Sequence, residues 1–273
     1  MFGISRQGYY QREQRANIRL KELQQVKLAV VQERMSLPRL GTRKLYHQLK
    51  GVFVDKGIKI GRDGLFAFLR SEHLLIKPRR SYQKTTNSKH WLHKHPNLYK
   101  NRKAVRADEF WVSDITYIDT AEQTGYLSLV TDAFSRKIVG YHLHESLHTD
   151  GVSAALKMAI KGRTITQELI HHSDRGLQYC SSQYQEILSN NGILPSMTDG
   201  YDCYQNALAE RVNGILKYEF IIVKPKNIDQ ARTLIREAIG LYNTRRPHLS
   251  LGYKTPDQVY KKSLPILINK DYI

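Results

Sequence analysis

Cysteine is nearly absent from this sequence, which has only Cys180 and Cys203 among 273 residues. Their spacing fits no metal-binding motif, and two cysteines form no disulfide framework, which excludes a disulfide-rich secreted domain. Long apolar runs are missing too, since no segment approaches the ~20 residues that cross a bilayer. Residues 1–7 lack the apolar segment of a signal peptide. The sequence therefore predicts a globular protein of the reducing cytoplasm.

Acidic residues are scarce in the first part of the chain, where residues 1–106 hold 6 Asp and Glu against 25 Lys and Arg. Residues 107–273 hold 19 against 18, so the N-terminal part carries the whole formal net charge of +18. Basic surface of this density favours the phosphate backbone of nucleic acid through counterion release. A basic ribosomal protein or a protein that binds anionic lipid would share this charge, but nucleic acid is the partner that we expect.

Apolar residues at helical spacing predict helices over about 17–34, 42–50 and 62–70, with Thr42 as the N-cap of the second. Short basic helices joined by glycine-containing turns are typical of a helix-turn-helix DNA-binding unit. A helical packing module that only adds positive charge is the alternative. We expect residues 1–76 to form a basic, helix-turn-helix-like DNA-binding region. Its candidate DNA contacts are Arg43, Lys44 and Arg62.

Residues 77–106 interleave basic and aromatic side chains without a helical or strand period, which predicts a linker. The linker is either solvated or lies along a DNA backbone, and in the second case Arg79 and Arg80 contact phosphate. His90, His93 and His95 have no cysteine among them to complete a zinc site, so we expect no zinc there.

From residue 107 the pattern changes to strands and helices in alternation. Strands at 110–118, 126–132 and 137–143 predict an antiparallel meander. There follow a helix at 149–161, a strand at 169–172, a helix at 182–190, a strand at 193–197, and helices at 206–220 and 229–242. This order predicts an α/β fold, with a ribonuclease-H-like mixed five-stranded sheet flanked by helices and preceded by the small all-α region. We expect a core at 107–225 and a C-terminal helix and tail at 226–273 that complete it.

Three acidic residues lie where a carboxylate needs a partner. Asp114 is in the middle of the first strand, where burying an ionised side chain is costly. Asp174 directly follows a strand, at the end where α/β folds bind ligands. Glu210 lies on a polar helix stripe that also contains Asn206, Asn213 and Lys217. Three carboxylates that a fold brings together can hold two divalent cations, the usual apparatus for cutting or joining phosphodiesters.

Each of these acids, taken singly, is better explained as a cap or as a solvated salt-bridge partner. Asp132 is the strongest rival because it ends the second strand, although capping a turn before Ser135 is its simpler role. The other rival candidates are Asp119, Asp199 and Asp202.

Four ordered motifs around these acids resemble those of insertion-sequence transposases. They are Trp111-Val112-Ser113-Asp114-Ile115-Thr116-Tyr117, His172-Ser173-Asp174-Arg175-Gly176-Leu177-Gln178-Tyr179, Asn206-Ala207-Leu208-Ala209-Glu210, and a tail from Tyr242 to Pro256. Thirty-five residues separate Asp174 from Glu210, as in that family. The resemblance covers about residues 40–260. It is to the second-reading-frame product of two-frame elements, whose DDE catalytic core is shared with retroviral integrases. Residues 199–205 depart from the usual loop of the family.

The resemblance implies that Asp114, Asp174 and Glu210 are catalytic and hold two Mg²⁺ ions, with Mn²⁺ as a substitute. The enzyme would cleave the ends of an insertion sequence and join the freed 3′-OH to DNA by transesterification. Lys217, Arg245 and Arg246 would contact the DNA backbone, unless the tail around the two arginines only caps the final helix. His172 would orient Asp174, contact DNA, or be a packed polar residue.

The partners that the resemblance implies are double-stranded DNA, as terminal inverted repeats and target, and further copies of the chain in a synaptic complex. Fusion to an upstream-frame protein and a nucleoid-associated place in the bacterial cytoplasm also follow from it. Two other functions stay open at this point. One is a DNA-binding regulator with an inactive integrase-like core, and the other is a ribonuclease-H-like nuclease that only hydrolyses.

Overall fold

The computed structural model describes residues 3, 5–77, 91–100, 102–163, 167–199 and 206–263. It divides into two compact units, Met1–Arg79 and Arg80–Ile273. Within the described ranges, none of the helices has the length and apolarity of a membrane-spanning segment.

The first unit consists of helices α1 (Arg6–Ser36), α2 (Thr42–Asp55) and α3 (Arg62–Ser71). Its core is formed by apolar side chains from all three helices: Val26, Val30, Leu45, Leu49, Phe53, Leu65 and Leu69. Helix α1 begins much earlier than the sequence pattern predicts because the Ser5 hydroxyl accepts a hydrogen bond from the Gly8 amide at 3.1 Å. The predicted N-cap of α2 is wrong: Gly41 is the cap and Thr42 is the first helical residue.

The second unit is built on a five-stranded sheet in the order β3-β2-β1-β4-β5. The strands are β1 (Phe110–Asp119), β2 (Thr124–Asp132), β3 (Ile138–His144), β4 (Leu169–Ser173) and β5 (Ile193–Met197). The β1–β2 and β2–β3 pairs are antiparallel, whereas β1–β4 and β4–β5 are parallel. The predicted α/β fold, with a meander that opens a ribonuclease-H-like mixed sheet, is confirmed.

Helices cover both faces of this sheet because successive strand side chains point to opposite sides. The helices are α4 (Thr149–Lys161), α5 (Leu177–Cys180), α6 (Ser182–Asn190), α7 (Ala207–Ile215), α8 (Ile228–Thr244) and α9 (Pro256–Ser263). Trp111 and Val130 pack with α4, α5 and α6 in one apolar cluster. Leu127 and Leu129 pack with α7 and α8 in another.

The helix predicted at 206–220 changes its geometry partway. Helix α7 ends at Ile215, and the chain continues as a π-helical turn, Leu216–Phe220, that widens the spiral. The sequence pattern also missed α5, α9 and the short 3-10 turn Leu249–Leu251. Gly125, just before the strand predicted at 126–132, lies inside β2 opposite Ile118.

Residues 91–100 and 102–106, the described part of the predicted linker, pack against the core. The Leu98 amide donates to Ser196 Oγ at 2.9 Å, and the Met197 amide donates to the Pro96 carbonyl at 3.3 Å. The Tyr99 ring lies 5.0 Å from the Phe110 ring, centroid to centroid. This segment therefore packs against the C-terminal end of β5 and against Phe110 of β1.

We expect Gly140→Ala to destabilise the protein by about 1–3 kcal/mol, the usual cost of overpacking. A Cβ at Gly140 would lie 2.9 Å from both the Cβ and the amide nitrogen of Ala159, and closer still to the Ala155 carbonyl, so β3 and α4 would have to separate. Gly240→Ala is the matched control, because open space surrounds this glycine of α8 and Ala favours the helix by roughly 1 kcal/mol. Urea unfolding of the two variants should give free energies that change in opposite directions.

Candidate active site

Asp114 and Asp174 lie side by side at the point where β4 ends. The parallel register of β1 and β4 pairs Val112 with His172, and two more residues along each strand lead to the two aspartates. The Gly176 amide donates to Asp174 Oδ1 at 3.0 Å, which holds this carboxylate in the turn after the strand. The carboxyl end of a parallel strand pair is a common place for a ligand site.

Helix α7 packs the two asparagines of its polar stripe against β1. Asn213 Nδ2 donates to Asp114 Oδ2 at 2.8 Å, and Asn206 Nδ2 donates to the Ser113 carbonyl at 3.1 Å. Glu210 lies between the two asparagines on the same helical face and is exposed. The stripe therefore fixes the helix that carries Glu210 against the strand that carries Asp114.

The charges of the three acids act on one another. Burial, followed by the charges of Asp174 and Glu210, raises the pKa of Asp114 to about 8, against hydrogen bonds from Asn213 and the Ile115 backbone. Burial and the charge of Asp174 also raise the pKa of Glu210. The fold thus gathers three carboxylates in one electrostatic neighbourhood, where a bound cation would relieve their repulsion.

The donor set suits a hard divalent cation, because carboxylate oxygens are the ligands that Mg²⁺ prefers. Asn213 Oδ1 is also buried and has no hydrogen-bond partner in the described part of the chain. The geometry is not that of an assembled metal cage: among the described residues, no three His, Cys, Asp or Glu side chains form a group that could hold a metal ion. Glu210 would have to turn toward the two aspartates to complete one.

The rival acids with described positions have other partners. Asp132 is fully buried and accepts hydrogen bonds from Ser135 and from the Asp108 amide, as expected of a turn cap. Asp119 accepts from Thr124 Oγ1 at 3.1 Å, and Asp199 pairs with Lys100 at 3.2 Å. Asp202 lies outside the described residues, as do residues 200–205 of the atypical loop.

His172 is fully buried in β4. Its Nδ1 is 2.9 Å from Ser196 Oγ, and its ring lies 5.2 Å from the Tyr99 ring. Of the alternatives that the sequence left open, the packed polar residue fits this position.

The candidate DNA contacts differ in their exposure. Arg43, Arg62 and Arg245 are exposed, Lys44 and Lys217 are half-buried, and Arg62 also pairs with Asp63 at 2.8 Å. Lys217 belongs to the π-helical turn, which takes it off the regular stripe on which the sequence placed it. Arg79 and Arg80 lie outside the described residues.

Arg246 is a correction to the predicted DNA contacts. Its side chain is only 3% exposed, and its guanidinium forms a fork with Glu219, from Nη2 to Oε1 at 2.6 Å and from Nε to Oε2 at 2.8 Å. A third nitrogen, Nη1, lies 3.1 Å from His248 Nε2. Because its guanidinium is buried and bound to these partners, Arg246 holds the C-terminal tail to the turn that carries Glu219 and does not reach a DNA phosphate.

A buried polar group behind Asp114 was missed from the sequence. His171 Nε2 lies within hydrogen-bonding distance of two hydroxyls, 2.8 Å from Ser113 Oγ and 2.9 Å from the Tyr184 hydroxyl oxygen. Burial and the charge of His172 lower the pKa of His171 to about 3, so this ring is neutral. The adjacent histidines of β4 were visible in the sequence, but nothing local shows which of them faces which layer.

We expect His171 to make the protein less stable as the pH falls. Its pKa is about 6.5 when unfolded and about 3 when folded, so across that window the unfolded chain binds a proton that the folded chain does not. Above pH 6.5 the neutral ring contributes its full share to the free energy of unfolding. As the pH falls below 6.5, that share decreases by up to about 1.4 kcal/mol per pH unit. Urea unfolding at pH 7 and pH 5 should show a smaller loss for His171→Gln than for the unaltered chain, and equal losses would contradict this assignment.

Comparison with known proteins gives a consistent result. Residues 104–203 match a family model described as the integrase core domain, and residues 191–256 match a second model with the same description. The insertion element IS600 uncharacterized 31 kDa protein of Shigella sonnei is 36% identical over 266 residues, which span 94% of each chain. The transposase for insertion sequence element IS629 of Shigella sonnei is 31% identical over 232 residues, 85% of this chain and 77% of that one.

A solved structure shares the fold. It is the cryoEM structure of the simian T-cell lymphotropic virus intasome in complex with PP2A regulatory subunit B56 gamma. The two chains are 19% identical and superpose with a TM-score of 0.51, over 84% of this chain and 72% of the viral one. At this identity the likeness concerns the fold alone.

Proposed function

The chain belongs to the insertion-sequence transposases with an integrase-type core, and we propose that Asp114, Asp174 and Glu210 are its catalytic residues and hold two Mg²⁺ ions. The chain is a DNA transposase, and its core is that of a polynucleotidyl transferase. The observation that carries the proposal is geometric: the β1–β4 register brings Asp114 and Asp174 to the same end of the sheet, and Asn213, three residues after Glu210 on α7, donates to Asp114 at 2.8 Å. Divalent cations bound there would activate the attacking oxygen and stabilise the leaving 3′ oxygen.

The protein side chains supply positioning. Asn213 holds one oxygen of Asp114, and the Gly176 amide holds one oxygen of Asp174, so neither aspartate is free to rotate away from the scissile phosphate. In the first step water attacks the phosphorus at the element end. The bond from phosphorus to the 3′ oxygen breaks, the water loses a proton, and the 3′ oxygen takes up a proton to become the free 3′-OH. In the second step that 3′-OH attacks a target phosphodiester and a new 3′ oxygen departs, so one bond forms for each bond broken.

DNA binding is proposed for both units. The basic helical residues 1–76 would bind double-stranded DNA through Arg43, Lys44 and Arg62, all on the surface or half-buried. Residues 77–106 would connect them to a catalytic core at 107–225, with 226–273 completing it, and Lys217 and Arg245 would touch the DNA backbone near the site. Both ends of the element would be held in one synaptic complex, which implies that the complex contains more than one copy of the chain.

Cleavage and joining of an element-end duplex in Mg²⁺ tests the proposed function. Two substrates are needed, one intact and one already cut to expose its 3′-OH. A transposase produces a nicked product from the first and a joined product from both. A nuclease that only hydrolyses would cut without joining, and a regulator with an inactive core would bind without cutting.

A further inference from the structure

A line of hydrogen bonds crosses the sheet directly behind the proposed site. The Tyr184 hydroxyl of α6 and the Ser113 hydroxyl of β1 both lie within hydrogen-bonding distance of His171 Nε2 of β4, at 2.9 Å and 2.8 Å. On the other layer, Asn206 donates its side-chain amide to the Ser113 carbonyl at 3.1 Å. Ser113 therefore joins elements from both faces of the sheet.

The members of this line lie close in sequence to the three acids. Ser113 immediately precedes Asp114, and His171 lies three residues before Asp174. Asn206 occupies the N-cap position of α7, four residues before Glu210. Each hydrogen bond of Ser113 thus ties the strand that carries one carboxylate to an element that carries another.

We propose that Ser113 and Asn206 are positioning residues that set the distances between the three catalytic carboxylates. The inference rests on the proposed function of those acids. Through its hydroxyl, Ser113 fixes β4 and hence Asp174 relative to Asp114. Through its carbonyl and Asn206, it fixes the first turn of α7 and hence Glu210.

These hydrogen bonds are buried, which lets them hold the strands and the helix in one arrangement. Ser113, His171 and Tyr184 are each about 1% exposed, and Asn206 is 4% exposed. Water cannot replace a lost partner at such positions, and a buried polar group left unpaired costs about 1–3 kcal/mol. A network of this kind has one favoured arrangement, as do the outer partners of metal ligands, whose removal weakens metal affinity about 10–100-fold.

Mn²⁺ binding by the full chain without DNA separates positioning from a merely structural role. Free Mn²⁺ is followed by electron paramagnetic resonance, well below the melting temperature of each variant. We expect Ser113→Ala and Asn206→Ala to weaken Mn²⁺ binding about tenfold or more while the affinity for duplex DNA stays unchanged. A structural role alone would lower the melting temperature and leave Mn²⁺ affinity as it was.

Ser128→Ala is the matched control, because Ser128 is also a buried serine of the sheet, on β2, and is 4% exposed. The positioning role is overturned if Ser113→Ala and Asn206→Ala bind Mn²⁺ as tightly as the unaltered chain. It is also overturned if Ser128→Ala loses as much Mn²⁺ affinity as they do. Asp114→Asn distinguishes this failure from a failure of the proposed function. If Asp114→Asn loses Mn²⁺ binding and Ser113→Ala does not, only the inference falls; if Asp114→Asn binds Mn²⁺ normally, the proposed metal site itself is wrong.

Discussion

Glu210→Gln is expected to abolish both cleavage and strand transfer while duplex DNA binding stays within about twofold. The substitution keeps the size of the side chain and removes its negative charge. Because Glu210 is exposed, the fold does not depend on that charge. A loss of about a thousandfold corresponds to about 4 kcal/mol of lost transition-state stabilisation. Gel assays of Mg²⁺-dependent nicking and joining measure it.

Glu237→Gln is the control for this experiment. Glu237 is an exposed glutamate of α8, so the same chemical change is made on a helix surface away from the acids. Normal cutting and joining by this variant shows that loss of one surface charge is not the cause. Normal cutting by Glu210→Gln would instead remove Glu210 from the active site, and with it the assignment that was based on the gap of 35 residues.

The sequence signals of the proposed site are local. An acid in the middle of an apolar strand and an acid just after another strand are each costly placements that need a partner. The polar spacing of Asn206, Glu210 and Asn213 correctly put these residues on one helical face. The sequence pattern could not show that the two asparagines bond to β1, because the pattern of a polar stripe is the same whether it meets water or a carboxylate of a neighbouring strand.

The parts that escaped prediction depend on distant partners. Nothing in Leu216–Phe220 marks a π-helical turn, since a widened turn is a response to packing rather than a propensity. Arg245 and Arg246 are identical neighbours in the sequence, yet one is exposed and the other buried. Glu219, 27 residues earlier in the chain, binds Arg246. Helix α9 is different, because Pro256 in its first turn and basic residues in its last were available as signals.

Arg246→Ala is the second large effect that we expect, a loss of about 3–5 kcal/mol in the free energy of unfolding. The substitution leaves Glu219 without its fork, at a carboxylate whose side chain is only 25% exposed, and opens a cavity beside the fully buried Tyr242. Thermal unfolding should shift down by roughly 10 °C. Since Glu219 lies in the turn that follows α7, catalysis should fall with stability.

Arg245→Ala tests the contrast between the two arginines, because the side chain of Arg245 is exposed. This variant should keep its melting temperature and bind DNA more weakly, with a salt dependence reduced by about one phosphate contact. Replacing both members of the ion pair, as Arg246→Leu with Glu219→Leu, should recover part of the stability that Arg246→Ala loses, since no charge is then left buried alone. If Arg246→Ala instead melts like the unaltered chain and weakens only DNA binding, Arg246 is a DNA contact after all and the tail is held by other means.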